Sequence, residues 1–125
     1  MAITARLIYS SFHSGKGEYM DLVKRVNETI HIGEDWRRAY TITDDIDISQ
    51  ASAVCKVRTK QGKLLCEAET VINDKTIFVT ISKNKTLEIN KIYTKAVYDV
   101  FLTQDDVSHK LIMGDITIIH DISMH

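Results

Sequence analysis

Tyr98-Asp-Val-Phe-Leu-Thr103, the polar turn Gln104-Asp-Asp106 and Lys110-Leu-Ile-Met-Gly-Asp-Ile-Thr-Ile-Ile-His120 decide the fold of this chain. Two apolar, β-branched-rich segments flank a short polar turn, which is the pattern of a β-hairpin. A hairpin here closes an all-β domain.

Working back from it, the same pattern recurs. Residues 29–32 read as a strand that stops at Gly33, and residues 35–43 as a strand with Trp36, Tyr40 and Ile42 on one face. Asp44-Asp45 forms a turn and residues 46–49 a short connection. Residues 51–59 and 63–72 pair as a hairpin about Gln61-Gly62. A turn at Asn73-Asp74-Lys75 leads to residues 76–81, where Ile77, Val79 and Ile81 alternate with Thr76, Phe78 and Thr80. Residues 82–86 read as a polar loop and 87–93 as an irregular crossing. Strands this short, punctuated this often, predict an antiparallel β-sandwich and not βαβ units. The predicted sandwich spans residues 27–125.

Residues 1–26 read differently. Residues 3–9 form a short strand and 10–17 a polar loop with two glycines. In residues 18–26, Tyr19, Leu22, Val23 and Val26 follow an i, i+3, i+4, i+7 pattern, which predicts a short amphipathic helix. A helix of that length persists only when packed against something. Two readings stay open: an arm that docks on a neighbour, or an extra strand and helix packed on the chain's own sandwich.

Composition narrows the function classes. At 125 residues the chain is one domain, long enough to bury roughly two-thirds of its unfolded surface. Hydrophobic residues make up 44% and charged residues 26%, ordinary globular values that argue against disorder. The net charge of −1, from 16 basic and 17 acidic residues, lacks the basic excess of a nucleic-acid binder. No apolar run has the length of a membrane span, and the first residues lack the pattern of a signal peptide. There is no proline, so strand edges depend for protection on charges such as Lys56, Arg58, Glu67 and Glu69, or on a partner.

The two cysteines read as unpaired. Ala53, Cys55 and Val57 share one face, as do Leu64, Cys66 and Ala68. With a loop of Gln61-Gly62, Cys55 falls opposite Ala68 and Cys66 opposite Val57. The thiols are then diagonal neighbours, small apolar residues in a reducing compartment.

Catalytic patterns are not found. Gly15-Lys-Gly17 lacks the Gly-Lys-Ser/Thr ending of a phosphate loop, and no G-x-S-x-G turn occurs. Asp44-Asp45 and Asp105-Asp106 sit in predicted turns, where acidic residues are favoured for backbone reasons. Asp44, Asp45 and Asp47 lack the further ligands of a calcium loop, and His120, Asp121 and His125 match no defined metal spacing. Trp36 and Tyr40 alternate into the core, where they offer no sugar-binding surface. The chain reads as a non-enzyme with no catalytic residue, cofactor or metal.

The order of these elements resembles that of the immunoglobulin-like β-sandwich proteins of tailed bacteriophages. Among these are baseplate upper-protein N-terminal domains and the collar proteins that attach lateral tail fibres in siphophages. The residues that carry the resemblance are the corner Gly33-Glu-Asp-Trp36, the strand signature Tyr98-Asp99 and the glycine entry Gly114-Asp115. Residues 1–26 lie outside it.

The resemblance implies a structural virion protein of the phage tail, assembled in the host cytoplasm. It would form a homo-oligomeric collar or baseplate ring, contact tail tube or baseplate proteins and attach tail fibre proteins. Tyr19, Leu22 and Val23 of the arm, and Ile119, Ile122 and Met124 at the end of the chain, are the candidate interface residues. The alternative is a carbohydrate- or ligand-binding adhesion module on the same sandwich.

Overall fold

Strands β9 (Lys95–Gln104) and β10 (Val107–Ile119) form the expected hairpin. Asp105 and Asp106, at φ 53° and 63°, make the two-residue turn. Positive φ at both central residues is the geometry whose twist matches paired strands, and aspartate tolerates it.

The computed structural model describes residues 4–8, 23–43 and 47–120, the first stretch by its backbone alone. Before the hairpin come β1 (Thr4–Ile8), β2 (Lys24–Arg25), β3 (Glu28–His31), β4 (Trp36–Ile42), β5 (Ser52–Arg58), β6 (Leu64–Glu67), β7 (Glu69–Asn73), β8 (Thr76–Ile81) and α1 (Lys83–Leu87). They make two sheets. One has the order β1-β4-β8-β7, and the other β2-β10-β9-β5-β6 with β3 also on β10. Neighbours are antiparallel except β1 on β4 and β2 and β3 on β10, which run parallel.

The core lies between the sheets. Alternation buries Cys55 and Val57 on β5, Ile77, Val79 and Ile81 on β8, and Ala96, Tyr98, Val100 and Leu102 on β9. Trp36, Tyr40 and Ile42 on β4 face them, as the period of two predicts. Burying a side chain of that size contributes about 1.5–3 kcal/mol, so this face decides the register.

The structure departs from the sequence reading in four places. First, residues 63–72 are not one strand. The chain changes sheet at Ala68, which is buried, so β6 and β7 belong to different sheets. Ala68 N–H donates to the Cys55 carbonyl (2.9 Å) and Thr70 Oγ1 to the Ala53 carbonyl (2.7 Å), so β5 holds the chain as it crosses.

Second, the hairpin loop is Lys60-Gln61-Gly62, closed by Thr59 N–H on the Lys63 carbonyl at 2.8 Å, with Gly62 at φ 101°. An irregularity next to Val57 restores the expected register, Val57 opposite Cys66. Both cysteines are free, Cys55 buried and Cys66 half-buried, while Leu64 at the hairpin mouth is exposed.

Third, the polar stretch after β8 is the helix α1. Ser82 Oγ caps it by accepting from Lys85 N–H, and buried Thr86 accepts from Gly33 N–H at 3.0 Å. Five residues are too few to show a helical period.

Fourth, Lys24–Arg25 is extended where the periodicity predicts the end of a helix. The open edge of β10 offers backbone partners: Val26 N–H donates to the Met113 carbonyl at 2.9 Å. A short segment's helical pattern is weak against that. The rest of the predicted helix, residues 18–22, and the turn at Asp44-Asp45 lie outside the described residues.

Candidate functional site

Of the residues that carry the resemblance, Trp36, Tyr98 and Gly114 are buried, while Glu34, Asp35, Asp99 and Asp115 face outward. The Gly33 corner delivers Trp36 into the core, where its ring stands edge-on to Tyr98, with centroids 6.1 Å apart at 77°. Asp35 Oδ1 accepts from Lys83 N–H at 2.8 Å, which ties the corner to α1. Tyr98 Oη donates to the Val26 carbonyl at 2.7 Å. Gly114 lies under that same peptide: a Cβ there would fall 2.7 Å from the Val26 carbonyl carbon and 3.1 Å from Tyr98 Cε1. Asp115 N–H donates to Asn27 Oδ1 at 3.0 Å. Corner, strand signature and glycine entry together clasp residues 23–31 against β10.

A buried ion pair completes the clasp. Arg38 Nε and Nη2 both reach Glu28 Oε1 at 2.8 Å, with side-chain exposures of only 16% and 4%. The Arg38 guanidinium lies 4.8 Å over the Trp36 ring, within cation–π range. Among the described residues, Glu28 Oε2, Trp36 Nε1 and Tyr40 Oη are buried and meet no partner in hydrogen-bond geometry. Burial, then the neighbouring Tyr98 hydroxyl and Glu28, holds the Tyr40 phenol far above its ordinary range. Burial does the same to Tyr98 and Cys55, and pushes the Cys66 thiol up to about 11. These raised values describe neutral, desolvated groups in a core and not activated nucleophiles.

The solvent-facing surfaces are the outer faces of the two sheets. On the sheet containing the closing hairpin, the outward positions are half-buried Val54, Lys56 and Arg58 on β5 and Val97, Asp99 and Phe101 on β9. Lys110, Met113 and Asp115 extend them on β10. Val54 lies opposite Phe101, and Lys56 opposite Asp99. Lys110 lies opposite Phe101 on the other side, its Nζ 5.5 Å from the ring centre. Arg58 approaches Asp99 at 3.9 Å and Arg25 approaches Asp115 at 3.8 Å. Val54 and Phe101 form an apolar pair, and Asp99, flanked by Lys56 and Met113, separates them from Val97, so the face mixes apolar side chains with both signs of charge. Sequence reading passes over it because attention goes to the inward half of each alternation; the outward half of β5 and β9 carries the same signal.

The candidate interface residues fall elsewhere. Val23 is half-buried just before β2, and Ile119 is 39% exposed at the end of β10, opposite His31. They lie at opposite ends of the β10 seam, roughly 25 Å apart along the strand, and do not form one patch. Tyr19, Leu22, Ile122 and Met124 lie outside the described residues, as do two members of the His120, Asp121, His125 set. His120 Nε2 is hydrogen-bonded to the Tyr93 carbonyl at 2.8 Å.

The strand order defines the class. β4-β8-β7 corresponds to strands B-E-D of an immunoglobulin domain and β10-β9-β5-β6 to its G-F-C-C′ sheet, with α1 between E and F; β1 takes the edge position of strand A but runs parallel to β4. The chain is an all-β, immunoglobulin-like sandwich. Antibody domains pin their two sheets with a disulfide and a tryptophan; here buried Tyr40, Tyr98 and Cys55 occupy β4, β9 and β5.

No protein-family model matches the sequence, and no curated protein matches it. Among solved structures it is similar to the extracellular domain of the voltage-gated sodium channel beta4 subunit, at 9% identity and TM-score 0.46. That match covers 82% of this chain and 97% of the other. It is similar to the M1 domain of titin at 9% identity and TM-score 0.42, covering 78% and 91%. A Bacillus anthracis protein of uncharacterized function matches at 10% identity and TM-score 0.39, covering 79% and 85%. None of the three is described as a phage protein.

Proposed function

We propose that this chain is a non-catalytic structural protein of a bacteriophage tail, part of a collar or baseplate ring that attaches tail fibres. The observation that carries a contact role is the outer face of β5, β9 and β10, where Val54, Val97, Phe101 and Met113 sit half-exposed among paired charges. A face that mixes half-buried apolar side chains with paired charges suits a partner that is docked rather than transformed. The phage assignment is supported by the resemblance alone. Its motif residues, Trp36, Tyr98, Gly114 and Asp115, make the contacts that hold the segment at residues 23–31 in place. The fibre protein docks on the outer face, and the ring contacts lie outside it.

The alternative, a carbohydrate-binding module, has one candidate groove of about 300 Å³ beside β4, lined by Thr29, His31, Glu34, Asp35, Trp36, Arg37 and Arg38. Its aromatic residue, Trp36, is 3% exposed, which leaves no face for a sugar ring to stack on. The test is the double substitution Val54→Asp with Phe101→Asp. Purified tails carrying it should retain the protein and lose their fibres, as read by mass spectrometry. Full fibre content, with the variant incorporated and folded, would remove this face from the proposal.

A further inference from the structure

The two ends of the sandwich carry opposite charge. Trp36 lies opposite Ile81, and Arg58 opposite Val97. One end therefore gathers the corner before β4, the β5–β6 loop and the stretch from α1 to β9. Among the described residues, its loops hold Lys60, Lys63, Lys83, Lys85 and Lys91 against Glu34, Asp35 and Glu88. Asp35 is already engaged by Arg37 at 3.2 Å and by Lys83 N–H at 2.8 Å. Lys63 Nζ and Lys85 Nζ rest on neutral acceptors, the Tyr93 hydroxyl and the Glu67 carbonyl. The other end gathers the β7–β8 turn, the β9–β10 turn and the approach to β5. Its described loops hold Asp47, Asp74, Asp105 and Asp106 against Lys75. The whole chain is near neutral at −1, so this is a separation of charge along the strands and not an excess of one sign.

Each end also exposes apolar side chains. Ile92 is 73% exposed and Leu87 48% at the lysine end, and Val107 is 51% exposed beside Asp106 at the aspartate end.

We infer that copies of this chain associate end to end, the lysine end of one on the aspartate end of the next. Charge complementarity identifies the occupant. The surface that each end calls for stands at the opposite end of the same chain, with apolar side chains to bury on both. Like ends repel, which disfavours a two-fold pair. The contact is heterologous: every dimer keeps one free lysine end and one free aspartate end, and further addition gives a closed ring or an open file. The inference rests on charge and register, independent of the phage reading, and its failure would leave the fibre-docking face untouched.

The test uses the purified chain. In sedimentation equilibrium at an ionic strength of about 0.01 M, its average mass should rise with concentration beyond that of a dimer. At about 1 M, where the screening length falls from roughly 30 Å to roughly 3 Å, it should return to the monomer. Lys83→Glu with Lys91→Glu makes both ends acidic. Asp105→Asn with Asp106→Gly removes two charges from the other end, with residues that suit the positive φ there. Each double variant alone should stay monomeric where the wild type associates, with urea unfolding showing an intact fold. Mixed in equal amounts, they should form one-to-one pairs that grow no further, because one intact end of each kind remains. A wild type that is monomeric at low salt, an association unchanged at high salt, or a mixture no heavier than its components would overturn the inference.

Discussion

Gly114→Ala adds one methyl group and should cost more than most truncations of a core side chain. The new Cβ would sit 2.7 Å from the Val26 carbonyl carbon, with the ring of Tyr98 at 3.1 Å on another side. The nearer obstacle is backbone, so no rotamer relieves it. The segment must lift from β10. Lifting it weakens Val26 N–H to Met113, Tyr98 Oη to Val26 and Asp115 N–H to Asn27. Overpacking costs typically ~1–3 kcal/mol. The three hydrogen bonds are worth about 1 kcal/mol each if lost outright, and partial loss brings the total to about 3–4 kcal/mol. For a domain of this size that lowers Tm by roughly 10–20 °C. Urea unfolding followed by Trp36 fluorescence measures it, and hydrogen exchange should show residues 23–31 losing protection first. A loss below about 1 kcal/mol, with those residues still protected, would refute the clasp as described.

The buried pair should behave as a unit. Glu28→Ala and Arg38→Ala should each cost about 3 kcal/mol, and the double variant distinctly less than their sum in a double-mutant cycle. The closing turn can be improved: Asp105→Asn with Asp106→Gly should raise stability by about 0.5–1 kcal/mol in chemical denaturation, because both positions need positive φ. Thiol chemistry should follow burial. With Cys66 raised from 9.0 to about 11, its thiolate at pH 8 is about a hundredfold scarcer than that of a free cysteine. Alkylation of the folded protein should be slower in proportion and become fast on unfolding. Because the fold favours the neutral thiol, this contribution is fully present below pH 9 and declines as pH rises toward 11. Tyr40, Tyr98 and Cys55 shift in the same direction, so denaturation curves should show stability falling on the alkaline side.

The closing hairpin was readable because alternation and a two-residue acidic turn are local signals. So was the pairing of Val57 with Cys66, which survives a longer loop because the extra residue is absorbed by an irregularity in the strand. The sheet change at Ala68 was not readable, since an alternating run looks the same whether or not it crosses between sheets. α1 was too short to show a period. The pattern over residues 18–26 that suggested a helix carries no information about the edge of β10 that captures Lys24 and Arg25 as strand. The buried Glu28–Arg38 pair breaks the rule that charges face outward, and one sequence offers no sign of it. The outer face of β5, β9 and β10 was present in the alternation all along, as the half that does not enter the core. The proposed function rests on a resemblance, because a contact surface has no residue signature comparable to a catalytic set.

An image reconstruction of intact tailed particles, made in cells that express this chain, tests the central claim most directly. The expected result is immunoglobulin-like density in the collar or baseplate, with Val54 and Phe101 covered by a fibre protein. Absence of the chain from purified particles, or its presence with that face open to solvent and fibres seated elsewhere, would contradict it.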